Sequence, residues 1–333
     1  MTVLENRSRS RIHVILLLGL LATGLALAGI CAGAVPLSPP EVLDALTGGP
    51  NGFVVLQYRL PRVAVAILAG AALALSGLFL QAAVRNPLAS PDVIGVTKGA
   101  GLGAMLVAVL VPPGAHLWAT PIGVVAGAAA VTVLLLRFSR RAGAHGTTLA
   151  LAGIAIAALA AAAMQYLMAV FPQRADQAMV WLAGSVYGST GTDVAALTVW
   201  LVVCLPGVVV CARLLDLAGL GDDSQTSLGW SPRGIRVLLV VVAVALAAGA
   251  VAAVGGIGFL GLLAPHLAAR LAGRRAKWLV PATALSGAVV LSLADLAGRL
   301  VALPNELPAG VVAAVVGGPY LLFILLREAR VHA

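Results

Sequence analysis

The sequence predicts an all-α polytopic membrane protein with about ten transmembrane helices in a single domain, residues 1–333. Of these residues, 61% are hydrophobic and only 10% are charged, whereas soluble domains carry about 25% charged residues. The apolar residues lie in long runs, most of them near the ~20 residues that a helix needs to cross the hydrocarbon layer. Glycine and alanine are dense in these runs, and small side chains let membrane helices pack closely.

The first apolar run, Ile12 to Val35, follows a polar and basic tail, residues 1–11, that we expect in the cytoplasm. A signal peptide is the alternative interpretation, but its apolar core should be only about 7 to 15 residues long. We therefore expect a retained first span. The further runs lie at about 62–83, 93–111, 118–136, 148–171, 194–215, 235–254, 257–272, 278–300 and 308–326.

Two stretches interrupt this pattern. The eighth run, 257–272, is short and rich in glycine, and we expect Pro265 to break or kink its helix. A count of nine spans is therefore the alternative. Residues 37–58 contain Pro39, Pro40 and a glycine cluster, so we expect an aqueous loop with one short helix that Ser38 caps.

The positions of Lys and Arg predict the orientation. With a cytoplasmic amino terminus and ten spans, 17 of the 21 basic residues fall on the inner side, in agreement with the positive-inside rule. Both termini are then cytoplasmic. The formal charge of +9 is explained by this topology, so we expect membrane lipid and no nucleic acid as the partner of the basic residues. The basic residues outside or near the outer surface are Arg59, Arg62, Arg174 and Arg299.

Sequence motifs for catalysis are missing. The chain has no phosphate-binding loop, no zinc-protease motif and no serine nucleophile elbow. We predict no enzymatic activity, no catalytic residue and no cofactor, and we place any ATP hydrolysis in a separate subunit. Cys31, Cys204 and Cys211 lie in apolar runs without metal-ligand spacing, and His266 has no second ligand nearby. No metal site is therefore expected.

A composite motif lies between Arg59 and Gly103. It reads G-x-x-x-Q, N-P-L-A-x-P and G-x-x-x-G, and its residues are Gly77, Gln81, Asn86 to Ala89, Pro91, Gly95 and Gly99. The motif resembles the FecCD or BtuC-like permease family of bacterial ABC importers for iron siderophores and vitamin B12, and the resemblance covers nearly the whole chain. Two prolines four residues apart cannot share one regular helix, so we expect a shaped turn at a membrane surface. Lys98 departs from the family pattern, in which a small polar residue is expected, and disfavours a neutral pathway there.

The resemblance implies a permease subunit that imports ferric siderophore across the bacterial cytoplasmic membrane by alternating access. Vitamin B12 or haem is the alternative cargo. The implied partners are two ATPase subunits, an extracytoplasmic substrate-binding protein and a second permease, either an identical copy or a similar paralogue. The alternative from another class is a carrier driven by an ion gradient, which needs ionisable residues at mid-depth. For that role the spans offer only Asp295, near an outer end, and Lys98, near an inner one. A channel or signalling protein is more remote.

The resemblance also implies three sets of site residues. Arg59, Arg62 and Arg299 are expected to accept carboxylates of the binding protein, which suits the planar guanidinium group. The alternative for Arg299 is an ion pair with Asp295 on the same helix face. The alternative for Arg59 and Arg62 is snorkelling at the membrane interface.

The second set lies in residues 214–236, hereafter the coupling loop. Residues 221–229 predict a short helix between glycines, with Asp222 and Asp223 in its first turn. The resemblance implies that this helix docks into a cleft of the ATPase, and a plain solvated loop is the alternative. A loop of this length is more often functional. The residues implied in coupling are Leu220, Gly221, Asp222, Asp223, Leu228 and Gly229.

The third set is a translocation gate and pathway. Asn86, Leu88 and Thr147 match gate positions of the family, and Gln81 and Gln165 are polar residues within spans. The alternatives are that Asn86 only caps the turn before Pro87 and that the two glutamines bond helix to helix.

Overall fold

A computed structural model describes residues 2–33, 35–141, 146–174, 179, 181–301 and 305–331. Over these residues the regular secondary structure is helical, without strands. We number the longer helices α1 Thr2–Cys31, α2 Pro39–Leu46, α3 Gly52–Val84, α4 Val96–Leu110, α5 His116–Arg141, α6 Gly146–Val170, α7 Gly191–Ala218, α8 Asp222–Ser227, α9 Pro232–Val254, α10 Leu260–Ala272, α11 Ala276–Val301 and α12 Ala309–Val331.

The predicted all-α polytopic fold is confirmed. Among the described residues, seven helices are long and apolar enough to cross a membrane, namely α1, α3, α5, α6, α7, α9 and α11. Three shorter apolar helices, α4, α10 and the part Ala309–Tyr320 of α12, coincide with the third, eighth and tenth predicted runs. The count of ten is thus made of seven full-length helices and three shorter ones.

The second span begins earlier than predicted. Helix α3 starts at Gly52, ten residues before the expected position, and contains a π-helical turn at Val55–Arg59. The aqueous loop before it is correspondingly shorter. The short helix α2 in that loop is confirmed, and the Glu41 carboxylate accepts hydrogen bonds of 2.7 Å from both the amide and the hydroxyl of Ser38.

Of the two outcomes expected at Pro265, the break is wrong, because α10 continues past this residue, and the kink stays a prediction. A proline inside a helix leaves the carbonyl four residues earlier without its amide donor. That carbonyl belongs to Gly261, and it accepts a hydrogen bond of 3.2 Å from Gln81 Nε2 of α3. A side chain of a neighbouring helix therefore replaces the bond that Pro265 removes.

Helix α3 is the centre of the bundle and packs against α9, α11 and α10. Its closest backbone contacts are made at glycines. A Cβ on Gly77 would overlap the carbonyl group of Gly261 in α10, and a Cβ on Gly70 would overlap that of Gly287 in α11. Close backbone approach of this kind is how helices associate where lipid supplies no hydrophobic drive.

The two ends of the bundle differ in their polar contacts. At one end, Arg11 of α1 lies beside Gly273, and the carboxylate of Asp216 accepts a hydrogen bond of 3.0 Å from the amide of Ala276. We call this the coupling-loop end. At the other end, the arginine-cluster end, the last turn of α1 meets Arg59 and Arg299. Helices α3 and α11 run between these ends in opposite directions.

Candidate functional site

Five charged residues form a cluster where α1, α3 and α11 meet. The members of this arginine cluster are Arg59, Arg62, Asp295, Arg299 and Glu306. Arg59 Nη1 donates to the carbonyls of Ile30 (2.7 Å) and Cys31 (3.0 Å), and Arg299 Nη1 donates to that of Gly29 (2.9 Å). The last carbonyls of a helix have no partner within it and carry partial negative charge. These two arginines therefore cap α1.

Asp295 is the shared acceptor of the cluster. Its Oδ1 accepts from Nε (2.9 Å) and Nη2 (2.7 Å) of Arg62, and its Oδ2 accepts from Arg299. Arg62 also donates through Nη1 to Glu306 Oε2 at 2.7 Å. All members except Glu306 are buried. Removing charges from water is costly, and this arrangement offsets the cost because Arg62 and Arg299 pair with carboxylates and Arg59 donates to backbone carbonyls.

The alternatives for these arginines can now be resolved. The ion pair between Arg299 and Asp295 is confirmed. Snorkelling of Arg59 and Arg62 is wrong, because both side chains are buried and their donors bind groups of the same chain. Contact with a binding protein stays a prediction. Glu306 and Tyr187 are exposed in this region, and the ring of Tyr187 lies 5.5 Å from the guanidinium carbon of Arg62.

At the opposite end, the coupling loop contains the short helix α8, as predicted. Asp222, its first residue, accepts from Arg85 at 2.6 Å and from Arg236 at 2.5 Å. Arg85 follows the last residue of α3 with a left-handed backbone (φ 54°), and it also donates to the carbonyl of Leu220 at 2.8 Å. Because Arg236 lies in the first turns of α9, Asp222 braces α8 against two helices of the core.

Gln225 holds the inner face of the coupling loop against the end of α7. Its side chain is buried, and Nε2 donates to the carbonyls of Leu217 (3.1 Å), in the last turn of α7, and of Leu220 (2.9 Å), just after that helix. The opposite face of the loop is open, since Leu228 is 60% and Trp230 47% exposed. Sequence reasoning missed the structural roles of Gln225 and Trp230, although a tryptophan in a short polar loop is a recognisable signal for a contact surface.

The structure predicts that Asp222→Asn loosens the coupling loop without unfolding the bundle. Burial opposes ionisation of Asp222, but hydrogen bonds and charge from Arg236 and then Arg85 outweigh it, so the pKa of the carboxyl lies below its usual 3.8. A lowered pKa means that the ionised form stabilises the folded state at pH values above 3.8, and that this contribution is lost as the pH falls through the lowered value.

Hydrogen–deuterium exchange of the segment 219–231 at pH 7 measures this effect. Exposed ion pairs contribute up to about 1 kcal/mol, so amides of this segment should exchange roughly five-fold faster in Asp222→Asn. Asp223→Asn is the matched control, because Asp223 is exposed and adjacent. Equal exchange in the two variants would show that Asp222 does not brace the loop.

Among the described residues, the predicted gate and pathway residues do not all lie together at one place. The side-chain oxygen of Asn86 accepts from the amide of Leu88 at 2.9 Å, so Asn86 caps its turn as the alternative held. Gln81 bonds to α10, as described above. Gln165 is exposed on α6. Thr147 also lies in α6, about 27 Å from Gln165 along the helix axis, and its side chain lies outside the described residues.

The segment 85–95 with its two prolines is non-helical, as predicted. Its first residue, Arg85, is exposed at the coupling-loop end, but the segment then leaves that surface. Ile94 is buried, and its backbone packs against Gly153 of α6. A Cβ on Gly95 would lie 3.0 Å from Cα of Ala157, which is about 16 Å along α6 from its first residue. The segment therefore enters the bundle before α4 begins.

Within the described residues, no group of three or more His, Cys, Asp or Glu side chains lies close enough to hold a metal ion. The ring of His266 packs edge-on against the ring of Tyr320 at 6.1 Å. Cys204 and Cys211 lie along α7, where the packing role expected from the sequence fits the burial of Cys211.

The described part of the chain is thus a bundle of apolar helices with an exposed loop at one end, which Asp222 braces. The model of the FecCD transport family matches residues 17–327. The chain belongs to the FecCD transport family. This membership confirms the resemblance carried by the motif in α3 and the segment after it, and it identifies the chain as a multi-span membrane permease.

Individual relatives agree with this family. The Fe(3+)-citrate import system permease protein YfmE of Bacillus subtilis is 46% identical over 327 residues, 98% of each chain. The vitamin B12 import system permease protein BtuC of Salmonella paratyphi A is 37% identical over 336 residues, 99% of this permease and all of the relative. A solved structure in an inward-facing conformation, assigned to the metal-chelate type of ABC transporter, matches 95% of this permease and 99% of its own chain with a TM-score of 0.82 and 28% identity.

Proposed function

We propose that this permease is the membrane subunit of an ATP-driven importer that carries a ferric chelate inward across the bacterial cytoplasmic membrane. The observation that carries the proposal is the coupling loop, in which a short exposed helix is braced by Asp222 against both α3 and α9. A push on this helix is transmitted to the core of the bundle. The coupling-loop end is then cytoplasmic, together with both termini.

The surface of the coupling loop suits an ATPase partner. Leu220, Leu228 and Trp230 are exposed around α8, at a polar end of the bundle where lipid does not cover them. An apolar patch rimmed by polar residues is typical of a protein contact. The full importer has two ATPase subunits and two permeases, either identical or paralogous.

The arginine-cluster end is then the outer surface and receives the binding protein. Arg59, Arg62 and Arg299 are tied within the chain, so carboxylates of the binding protein reach Arg62 by replacing Glu306, the exposed member of the cluster. Glu306 is the one member of the cluster that is not buried, so it is the partner that an incoming carboxylate can reach and replace. Asp295 keeps Arg62 in place while the exchange occurs.

The cargo is proposed as a ferric chelate because the ferric citrate relative is 46% identical, against 37% for the vitamin B12 relative. Vitamin B12 or haem is the alternative within the family. Competition experiments separate them: an excess of cyanocobalamin or haemin should leave uptake of iron-55 chelate unchanged if the proposal is correct.

The proposal is tested by uptake into proteoliposomes that contain the permease, its partner ATPase and its binding protein. Iron-55 should accumulate only with ATP. Leu228→Ala removes an exposed side chain of the coupling loop and should reduce the iron imported per ATP hydrolysed at least five-fold. Leu271→Ala is the matched control, since Leu271 is 51% exposed near the same end but outside the loop.

Two results would overturn these assignments. Uptake by the permease alone under a proton or sodium gradient would identify a secondary carrier instead. Unchanged iron per ATP in Leu228→Ala, with folded protein, would remove the coupling loop from the proposal.

A further inference from the structure

Two non-helical segments enter the bundle. Segment 85–95 precedes α4, and segment 255–259 precedes α10. The helices that follow have 15 and 13 residues, about 22 and 20 Å, which is short of the ~30 Å of the hydrocarbon core. Irregular backbone at this depth is tolerated only where it is buried in protein or lines a water-filled cavity.

The two segments meet each other. A Cβ on Gly258 would lie 3.5 Å from Oδ2 of Asp92, and a Cβ on Gly261 would lie 3.0 Å from Cδ of Pro91. Next to this contact, Phe259 has a φ of 62°. This left-handed backbone is unfavourable for a bulky side chain, and such strain is concentrated at functional sites. The contact between the two segments therefore has the backbone strain that is typical of a functional site.

A pair of opposite charges lies at this contact. Lys98 Nζ lies 3.8 Å from Asp92 Oδ1, and the two side chains are 40% and 33% exposed. By contrast, Arg299 and Asp295 in the arginine cluster are 4% and 5% exposed. Charged side chains inside a membrane are costly and face a bundle interior or a water-filled cavity. The open side of Lys98 and Asp92 therefore faces water.

We propose that Lys98 and Asp92 line the translocation pathway and form a charged binding site there, which favours anionic, carboxylate-bearing ferric chelates. The inference rests on the proposed function and names the substrate chemistry of its pathway. The ammonium group of Lys98 is a compact charge with three donors, and 3.8 Å from Asp92 is beyond hydrogen-bonding distance. Lys98 thus keeps donors for a passing carboxylate. Asp92 competes with that carboxylate, which lets the chelate leave, as transport requires.

Uptake of two iron-55 probes tests this proposal in the complete importer. Ferric citrate is the anionic probe, and ferrichrome, a neutral hydroxamate chelate, is the reference. Lys98→Gln should reduce the ratio of citrate to hydroxamate uptake about ten-fold, whereas Lys98→Arg should keep most of it because the charge remains. Asp92→Asn should raise the ratio. An unchanged ratio in Lys98→Gln, with the importer active, would refute the proposed charged binding site.

A second measurement does not depend on transport. Lys98→Cys, made in a variant with Cys31, Cys204 and Cys211 replaced by alanine, is treated in membranes with charged methanethiosulfonate reagents. It should react at least ten-fold faster than Val203→Cys, the control on the exposed face of α7. Rapid reaction of Lys98→Cys supports a water-filled pathway even if neither iron probe is carried. Absence of transport of both probes would refute only the proposed cargo. Equally slow reaction at both positions would overturn the inference.

Discussion

Asp295→Asn is expected to lower the free energy of unfolding by about 3 to 5 kcal/mol, the usual cost of removing one partner of a buried ion pair. The loss is large because Asp295 serves both Arg62 and Arg299. Arg62 retains Glu306, but Arg299 retains only its bond to the carbonyl of Gly29. The neutral amide keeps the size of the carboxylate, so the effect reports charge rather than shape.

Unfolding of the purified protein in mixed micelles, titrated with dodecyl sulfate, measures this loss. Asp193→Asn is the matched control at the same end of the bundle, since Asp193 accepts a 2.8 Å hydrogen bond from the amide of Thr190 at the start of α7. Loss of such a cap costs about 1 kcal/mol. Equal stability of Asp295→Asn and the unaltered protein would refute the role of Asp295 as the centre of the cluster.

Gly77→Ala is the second change with a large expected effect. A Cβ on Gly77 would overlap the carbonyl of Gly261, so α3 and α10 would have to move apart. Overpacking alone costs about 1–3 kcal/mol. The movement also breaks the bond from Gln81 that satisfies the carbonyl opposite Pro265, and an unsatisfied buried carbonyl costs a further ~1–3 kcal/mol. We expect about 3 kcal/mol or more in total.

Gly24→Ala separates this effect from the general consequence of adding a methyl group. Gly24 lies within α1, and a Cβ there would meet no atom within 4 Å. Alanine favours helix over glycine by about 1 kcal/mol, so this control should not lose stability in the same titration. A Gly77→Ala variant as stable as Gly24→Ala would show that the two helices do not rely on close contact.

The positions of the spans followed from the sequence because the thickness of the bilayer imposes the length of apolar runs. The short helix in the coupling loop also followed, since glycines bound it and acidic residues occupy its first turn. The early start of α3 did not follow. Its first turns are partly polar and include a π-helical turn, and no periodicity in the sequence marks such a turn.

The roles of the site residues were harder to predict. Arg59 and Arg62 were expected at the surface because a charge at the end of a span normally reaches water. Their burial depends on acceptors far away in sequence, such as Asp295, which is 233 residues after Arg62. Likewise, the fold of the loop turns Gln225 inward, where its side chain bonds to the carbonyl of Leu217.

The sequence by itself determined that this protein is a bundle of membrane helices, because the length of an apolar run is a local property, and its composite motif indicated the FecCD family. Only the tertiary structure decided which polar groups pair: Asp295 with two arginines, Gln81 with the carbonyl opposite Pro265, and Lys98 with Asp92. Each pair joins separate turns or separate helices, and in a low-dielectric interior the energy of a charge or donor depends on the partner that packing brings within about 4 Å.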